Sequence, residues 1–186
     1  MRLNAPRIVP LADTEITEDQ RKLLGDRFAG PVYNIFRTLA RAPKAYKAFM
    51  HWGGYILSDR NDLSARDREL VILRTGYNWK AGYEWAQHER IGLQCGLTPG
   101  EIARIKKGPG APGWSDADRA LLQATDELTT GAFITDATWA ALSGFTEKQR
   151  MDLVMTVGQY TQVSMMLNAF GVQLDEGLIL DPDLVG

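Results

Sequence analysis

Glu84 and His88 stand four residues apart in Tyr83-Glu84-Trp85-Ala86-Gln87-His88. On a helix that spacing puts both side chains on one face, about 5–6 Å apart at Cβ. A carboxylate beside an imidazole fixes its tautomer and raises its basicity, and the imidazole can then move a proton near neutral pH. Trp79, Tyr83, Trp85 and Ile91 can supply apolar walls, which perturb both groups. The same spacing also describes an ordinary surface pair worth about 0.2–0.5 kcal/mol. Glu69 is a second carboxylate of interest. It opens the apolar stretch Glu69-Leu70-Val71-Ile72-Leu73, so it is either solvated near a helix start or held by a partner.

Arginine matches the two oxygens of a carboxylate, which makes Arg74 and Arg37 candidates for binding an acidic substrate, with a structural role as the alternative. Tyr160, Ser164 and Asn168 fall at i, i+4 and i+8 on an otherwise apolar helix. Buried polar groups need partners, so this line either faces a pocket or makes hydrogen bonds between helices. A metal centre is the weaker option. Glu84 and His88 offer two ligands, and His51, the only other histidine, precedes Trp52 on a separate helix. A catalytic zinc wants three protein ligands, and no firm third is present. The expectation is no metal and no cofactor.

The elements that must position these residues read as helices. Thr17-Glu18-Asp19-Gln20 and Thr146-Glu147-Lys148-Gln149 are capping boxes, and Thr98-Pro99-Gly100-Glu101 adds a proline at the first helical position. The punctuation predicts helices over about 18–28, 34–40 (capped by Asn34), 43–57, 64–78, 81–94, 98–108, 117–128, 136–142 and 146–170. Gly108-Pro109-Gly110-Ala111-Pro112-Gly113 is the one clear loop of low helix propensity. The helix after it carries an apolar stripe, Ala117, Ala120, Leu121, Ala124 and Leu128, that needs cover. The loop is therefore expected on the surface of one domain rather than between two. The last helix is apolar on most sides (Leu153, Val154, Met155, Val157, Val163, Met165, Met166, Leu167), so it belongs in a core or a subunit interface. The tail after Leu174 is expected to lie along the surface.

The 186 residues suit a single domain spanning 1–186 with a sizeable core. A formal net charge of −2, with no basic stripe, argues against a nucleic-acid partner. Short, interrupted apolar runs give no membrane span, and the N-terminus lacks the core of a secretory signal. Cys95 is the only cysteine, so no internal disulfide or CxxC centre can form. A cytoplasmic protein is the expectation.

Three segments together resemble the carboxymuconolactone decarboxylase family, which includes alkylhydroperoxidase D. They are 63–74 (Leu63 to Arg74), 83–88 (Tyr83 to His88) and 95–102 (Cys95 to Ile102). Looser similarity in Asn34-Ile35-Phe36-Arg37, Ala42-Pro43 and Leu167-Asn168-Ala169 extends it over about 34–170. The resemblance implies an all-α, alkylhydroperoxidase D-like bundle of about six to eight helices and a homo-oligomer (dimer, trimer or hexamer). In the peroxidase branch it implies a relay Glu, a Cys-x-x-Cys pair and a His four residues after the second Cys. These fall on Glu69, on Ala81 and Glu84, and on His88. Thiol peroxidase chemistry needs an attacking and a resolving thiol, which Ala81 and Glu84 cannot supply, so the chain is closer to the decarboxylase branch. The expected function is a cofactor-free lyase or isomerase acting on a small carboxylated molecule. Glu69, Glu84 and His88 would be its catalytic groups, and Arg74, Trp85, Tyr160 and Asn168 its substrate-binding ones. The alternatives are an alkylhydroperoxidase-like antioxidant protein and a non-catalytic oligomeric protein that binds a small molecule.

Overall fold

The computed structural model describes residues 1–25 and 32–185. Among them are nine α-helices: α1 (Glu18–Leu24), α2 (Asn34–Leu39), α3 (Pro43–Ile56), α4 (Ala65–Asn78), α5 (Gly82–Gln94), α6 (Pro99–Ile105), α7 (Asp116–Gly131), α8 (Asp136–Ala141) and α9 (Glu147–Phe170). No strand occurs among the described residues. The nine correspond to the nine ranges that the helix punctuation predicts; α2 and α8, six residues each, are the short ones beside the bundle of about six to eight that the resemblance implies.

All three predicted capping boxes form. Thr17, Thr98 and Thr146 each accept from the backbone N–H three residues on, and Gln20, Glu101 and Gln149 reach back to the cap. Ser64 caps α4 through Asp67 N–H. Asn34 does not cap α2. It is the first helical residue, and its amide donates to Gln173 O and Leu174 O, tying the helix to the tail. The predicted extension of α1 to Phe28 lies outside the described residues. Ala117 is exposed, whereas Ala120, Leu121 and Ala124 are buried, so the stripe of α7 begins one turn later than expected.

The hairpin of α4 and α5 matters most for function. Its connection is short because Lys80 takes a left-handed conformation (φ 53) and Ala81 N–H donates to Gly76 O. Two glycines let the antiparallel helices approach closely. A Cβ on Gly76 would lie 3.2 Å from Glu84 Cγ, and one on Gly92 would lie 3.0 Å from Leu97 Cδ1 and 3.2 Å from Leu73 Cδ1. The register therefore sets Gly76 opposite Glu84, and Glu69 opposite the last turns of α5. α7 and α9 pack on α4 from other sides. Leu70, Val71, Leu73, Trp85, Leu121, Leu122, Leu153 and Val157 form the main core between them. Burying such side chains stabilises by roughly 1.5–3 kcal/mol each.

The tail is not simply laid along the surface. Leu184 is buried in the main core, the Met1 ammonium donates to Leu184 O, and Asp175 accepts from Tyr83 and Gln87. The loop at 108–113 is likewise tied down: Trp114 Nε1 donates to Gly108 O, and Arg104 donates to Gly113 O. No helix among the described residues is long and apolar enough to cross a membrane.

Candidate functional site

The hairpin brings three of the sequence-predicted residues together. His88 Nδ1 lies 2.7 Å from Glu69 Oε2, and His88 Nε2 lies 3.0 Å from Glu84 Oε1. The imidazole is thus held between two carboxylates, one from each helix, and all three side chains are buried. The contacts differ in kind. Glu69 makes an aligned hydrogen bond, while Glu84 Oε1 has no aligned hydrogen-bond partner, so its contact with the ring is ionic. Burial would lower the pKa of His88, but Glu84 and then Glu69 outweigh it and raise the group to about 10. The imidazole is therefore a cation at neutral pH. Tyr160 stands edge-on to the ring, with centroids 5.0 Å apart and planes at 84°. Burial, then the two carboxylates, push its phenol well above the ordinary range.

His88 and Glu84 open onto a partly enclosed cavity of about 330 Å³ between α2, α3, α5 and α9. Its walls are mostly apolar: Phe36, Phe49, Met50, Ile56, Ile91 and Val163. Glu69 is not among the lining residues and approaches the ring from behind. Sequence reasoning gave no weight to the contribution of α3, nor to Gln159. The available signal for α3 was Gly53-Gly54 in its last turn: a Cβ on Gly53 would touch Gln159 Nε2 at 3.6 Å, and one on Gly54 would meet nothing within 4 Å. Gln159 neighbours Tyr160 on α9 and is only 5% exposed, and its amide oxygen has no hydrogen-bond partner.

The remaining predicted residues fall elsewhere, Tyr160 excepted. Arg74 is a structural clamp. Its Nε and Nη2 donate to the two oxygens of Asp126, and Nη1 donates to Ile105 O and Lys106 O. Arg37 is bonded to Val32 O, Leu11 O and Asp13. Trp85 is fully buried in the main core. Asn168 donates to Trp79 O and steadies the α4–α5 connection. Of the line Tyr160, Ser164, Asn168, only Tyr160 faces the cavity. His51 lies outside the cavity lining, and Glu69 and Glu84 occupy opposite nitrogens of His88. Accordingly, no three His, Cys, Asp or Glu among the described residues converge as a metal would require. Cys95, at the C-cap of α5, has its thiol pushed up by burial and then by Glu69, which makes it a poorer nucleophile. The structural role of Arg74 gives a direct expectation. Arg74→Met should lower unfolding free energy by roughly 2–3 kcal/mol, the worth of charged hydrogen bonds, in a urea titration, with ligand affinity unchanged. Lost affinity at full stability would return Arg74 to the site.

Residues 43–127 match the model of the carboxymuconolactone decarboxylase family. No curated protein matches the sequence significantly. Several solved structures share the fold. An alkylhydroperoxidase AhpD core protein, peroxidase-related and uncharacterized, from Ralstonia eutropha JMP134 superposes with a TM-score of 0.78 at 22% identity, covering 92% of this chain and 93% of its own. A peroxidase-related protein from Silicibacter sp. TM1040 gives 0.73 at 20% identity, covering 94% and 92%. The debrominase Bmp8 in complex with 2,3,4-tribromopyrrole gives 0.74 at 13% identity, covering 91% of each chain. Residues 43–127, which carry Glu69, Glu84 and His88, thus form a carboxymuconolactone decarboxylase-family segment within an alkylhydroperoxidase D-like, all-helical fold.

Proposed function

We propose that this chain is a cofactor-free lyase or isomerase that moves a proton to and from carbon on a small organic molecule. One observation carries the reading: a single imidazole clamped between two buried carboxylates at the wall of an apolar cavity. Such a site can take a proton from substrate, hold it and return it, because burial strengthens each electrostatic contact while excluding bulk water. Glu84 lines the cavity and is the group that exchanges the proton. His88, already protonated on both nitrogens at neutral pH, gives its Nε2 proton to Glu84 as Glu84 delivers one to carbon, and the neutral ring then takes a proton back. Glu69 bonds Nδ1 from behind and fixes the ring, so it is a positioning residue. The sequence had suggested the opposite division, with Glu84 as the orienting carboxylate.

The test is isotopic. A panel of small lactones, keto acids and enolisable ketones is incubated in D2O with the enzyme, and products and recovered substrates are read by mass spectrometry and proton NMR. At least one compound should gain a single deuterium at the carbon that is protonated, and Glu84→Gln should abolish the gain. Peroxide turnover with a dithiol reductant, without any deuterium exchange, would sink the reading in favour of antioxidant chemistry.

We also propose that the chain self-associates through α9. Its outer face leaves Met151 (55%), Val154 (39%) and Met165 (53%) exposed in register along the helix, an apolar stripe that a second copy would cover. Light scattering at micromolar concentration should show an oligomer, and Met165→Glu should shift it toward monomer. A wild-type chain that scatters as monomer throughout would refute this assembly.

A further inference from the structure

Resting on the reading of the cavity beside His88 as the substrate site, the structure also limits what can enter it. No lysine or arginine lines the cavity among the described residues. Arg74 and Arg37 are held elsewhere; Arg68 donates through Nη1 to Ser58 O, and its buried Nε, which has no hydrogen-bond partner, does not line the cavity. Arg90 is exposed, and its guanidinium donates to the Tyr33 hydroxyl and to Gln87 Oε1 without lining the cavity. Two carboxylates against one imidazole leave the polar end of the cavity without spare positive charge. A substrate carboxylate placed there would be desolvated beside Glu84 with no cationic partner of its own, an arrangement that buried charge does not tolerate.

On the residues that line the cavity, the buried polar atoms without aligned partners are both acceptors. Glu84 Oε1 and Gln159 Oε1 are buried acceptors with no aligned donor, on side chains 3% and 5% exposed. Buried acceptors are normally satisfied; Gln159 lines the cavity and its amide makes no hydrogen bond, so it is free to turn its oxygen to a ligand N–H or O–H. The rest of the wall, with Phe36, Phe49 and Met50, suits an apolar or aromatic body. We propose that the cavity takes a neutral, largely apolar molecule bearing a hydrogen-bond donor, such as a phenol-like or pyrrole-like ring, and that Gln159 reads that donor.

Three probes of nearly equal shape separate the possibilities: 4-methylphenol (neutral donor), p-xylene (no donor) and 4-methylbenzoate (anion). Their affinities for the wild-type protein are measured by calorimetry, or by competition where solubility demands it. 4-Methylphenol should bind about tenfold more tightly than p-xylene, the worth of one good hydrogen bond in a dry site. 4-Methylbenzoate should bind more weakly than both. Gln159→Leu, close to isosteric, should erase the preference for 4-methylphenol over p-xylene while leaving p-xylene bound. If that variant fails to fold, Gln159→Met serves in its place, and the wild-type ranking already decides the neutral-versus-anion claim. Tightest binding by 4-methylbenzoate overturns the proposal, and its loss on Arg90→Gln would place anion recognition on Arg90. Binding by none of the three, or a donor preference untouched by Gln159→Leu, also overturns it. These are binding readouts that need no turnover, so they can fail while deuterium exchange succeeds, and the reverse.

Discussion

His88→Gln should lower the rate of deuterium exchange by about 10²–10⁴-fold, the usual worth of a positioned acid or base, while the protein stays helical by circular dichroism. Glutamine can still hydrogen-bond toward Glu69 but cannot carry a proton between states. The two carboxylates should not cost the same. Glu84 lines the cavity, so Glu84→Gln should match the loss at His88. Glu69 touches only the far nitrogen, so Glu69→Gln should cost about tenfold less, lower kcat with little change in KM, and shift the pH profile, because it alters the imidazole rather than the substrate. A merely structural Glu69 would move stability and leave the pH profile in place. Turnover by His88→Gln within threefold of wild type would remove the imidazole from the reaction.

The geometry behind that expectation was only partly legible in the sequence. Helix starts were readable because capping is local. Thr98 with Glu101, or Thr146 with Gln149, satisfies free N–H groups within one turn, and nothing distant can change that. The Glu84–His88 spacing was readable for the same reason. That Glu69 faces them depends on the hairpin at Lys80 and on close approach at Gly76 and Gly92; the short connection near Trp79-Lys80 allowed antiparallel packing, and the family resemblance, not local spacing, pointed to Glu69 itself. For Arg74 the sequence offered both substrate binding and a structural role, and it could not name the structural partner, because Asp126 lies 52 residues away on α7 and no local pattern pairs them. The cavity wall was invisible for a related reason. Phe49, Met50 and Ile56 carry the same apolar signature whether they meet a neighbouring helix or an empty volume. Only a packed structure distinguishes the two, and the glycine at 54 was the sole local hint that volume is left there.

Stability should fall as pH rises through the alkaline range, with His88 as the largest single cause. Its folded pKa, about 10, is raised above the value of about 6.5 expected for an unfolded chain. Between those values the folded state holds a proton that the unfolded state has released. The derivative of unfolding free energy with pH is then negative, up to about 1.4 kcal/mol per pH unit for one proton. The stabilisation is complete below about pH 6.5 and is lost as the pH climbs through about 10. Other groups titrate in this window. Burial lowers the pKa of the Met1 ammonium, and burial with Glu69 raises that of the Cys95 thiol. The measurement is therefore a difference: urea unfolding at pH 6, 7, 8, 9 and 10 on wild type and on His88→Gln. Met1 and Cys95 persist in both proteins and cancel to first order. The wild-type curve should fall more steeply by about one proton's worth, so the two stabilities converge toward pH 10. At pH 6 the variant should be the less stable by about 3–5 kcal/mol, since removing one partner of a buried ionic cluster leaves the carboxylates uncompensated. Adding Glu69→Gln to His88→Gln should recover part of that loss, because one uncompensated carboxylate goes with it. Parallel pH curves for the two proteins would mean that His88 is not protonated between its carboxylates at neutral pH, and the proton the mechanism relies on would have to come from elsewhere.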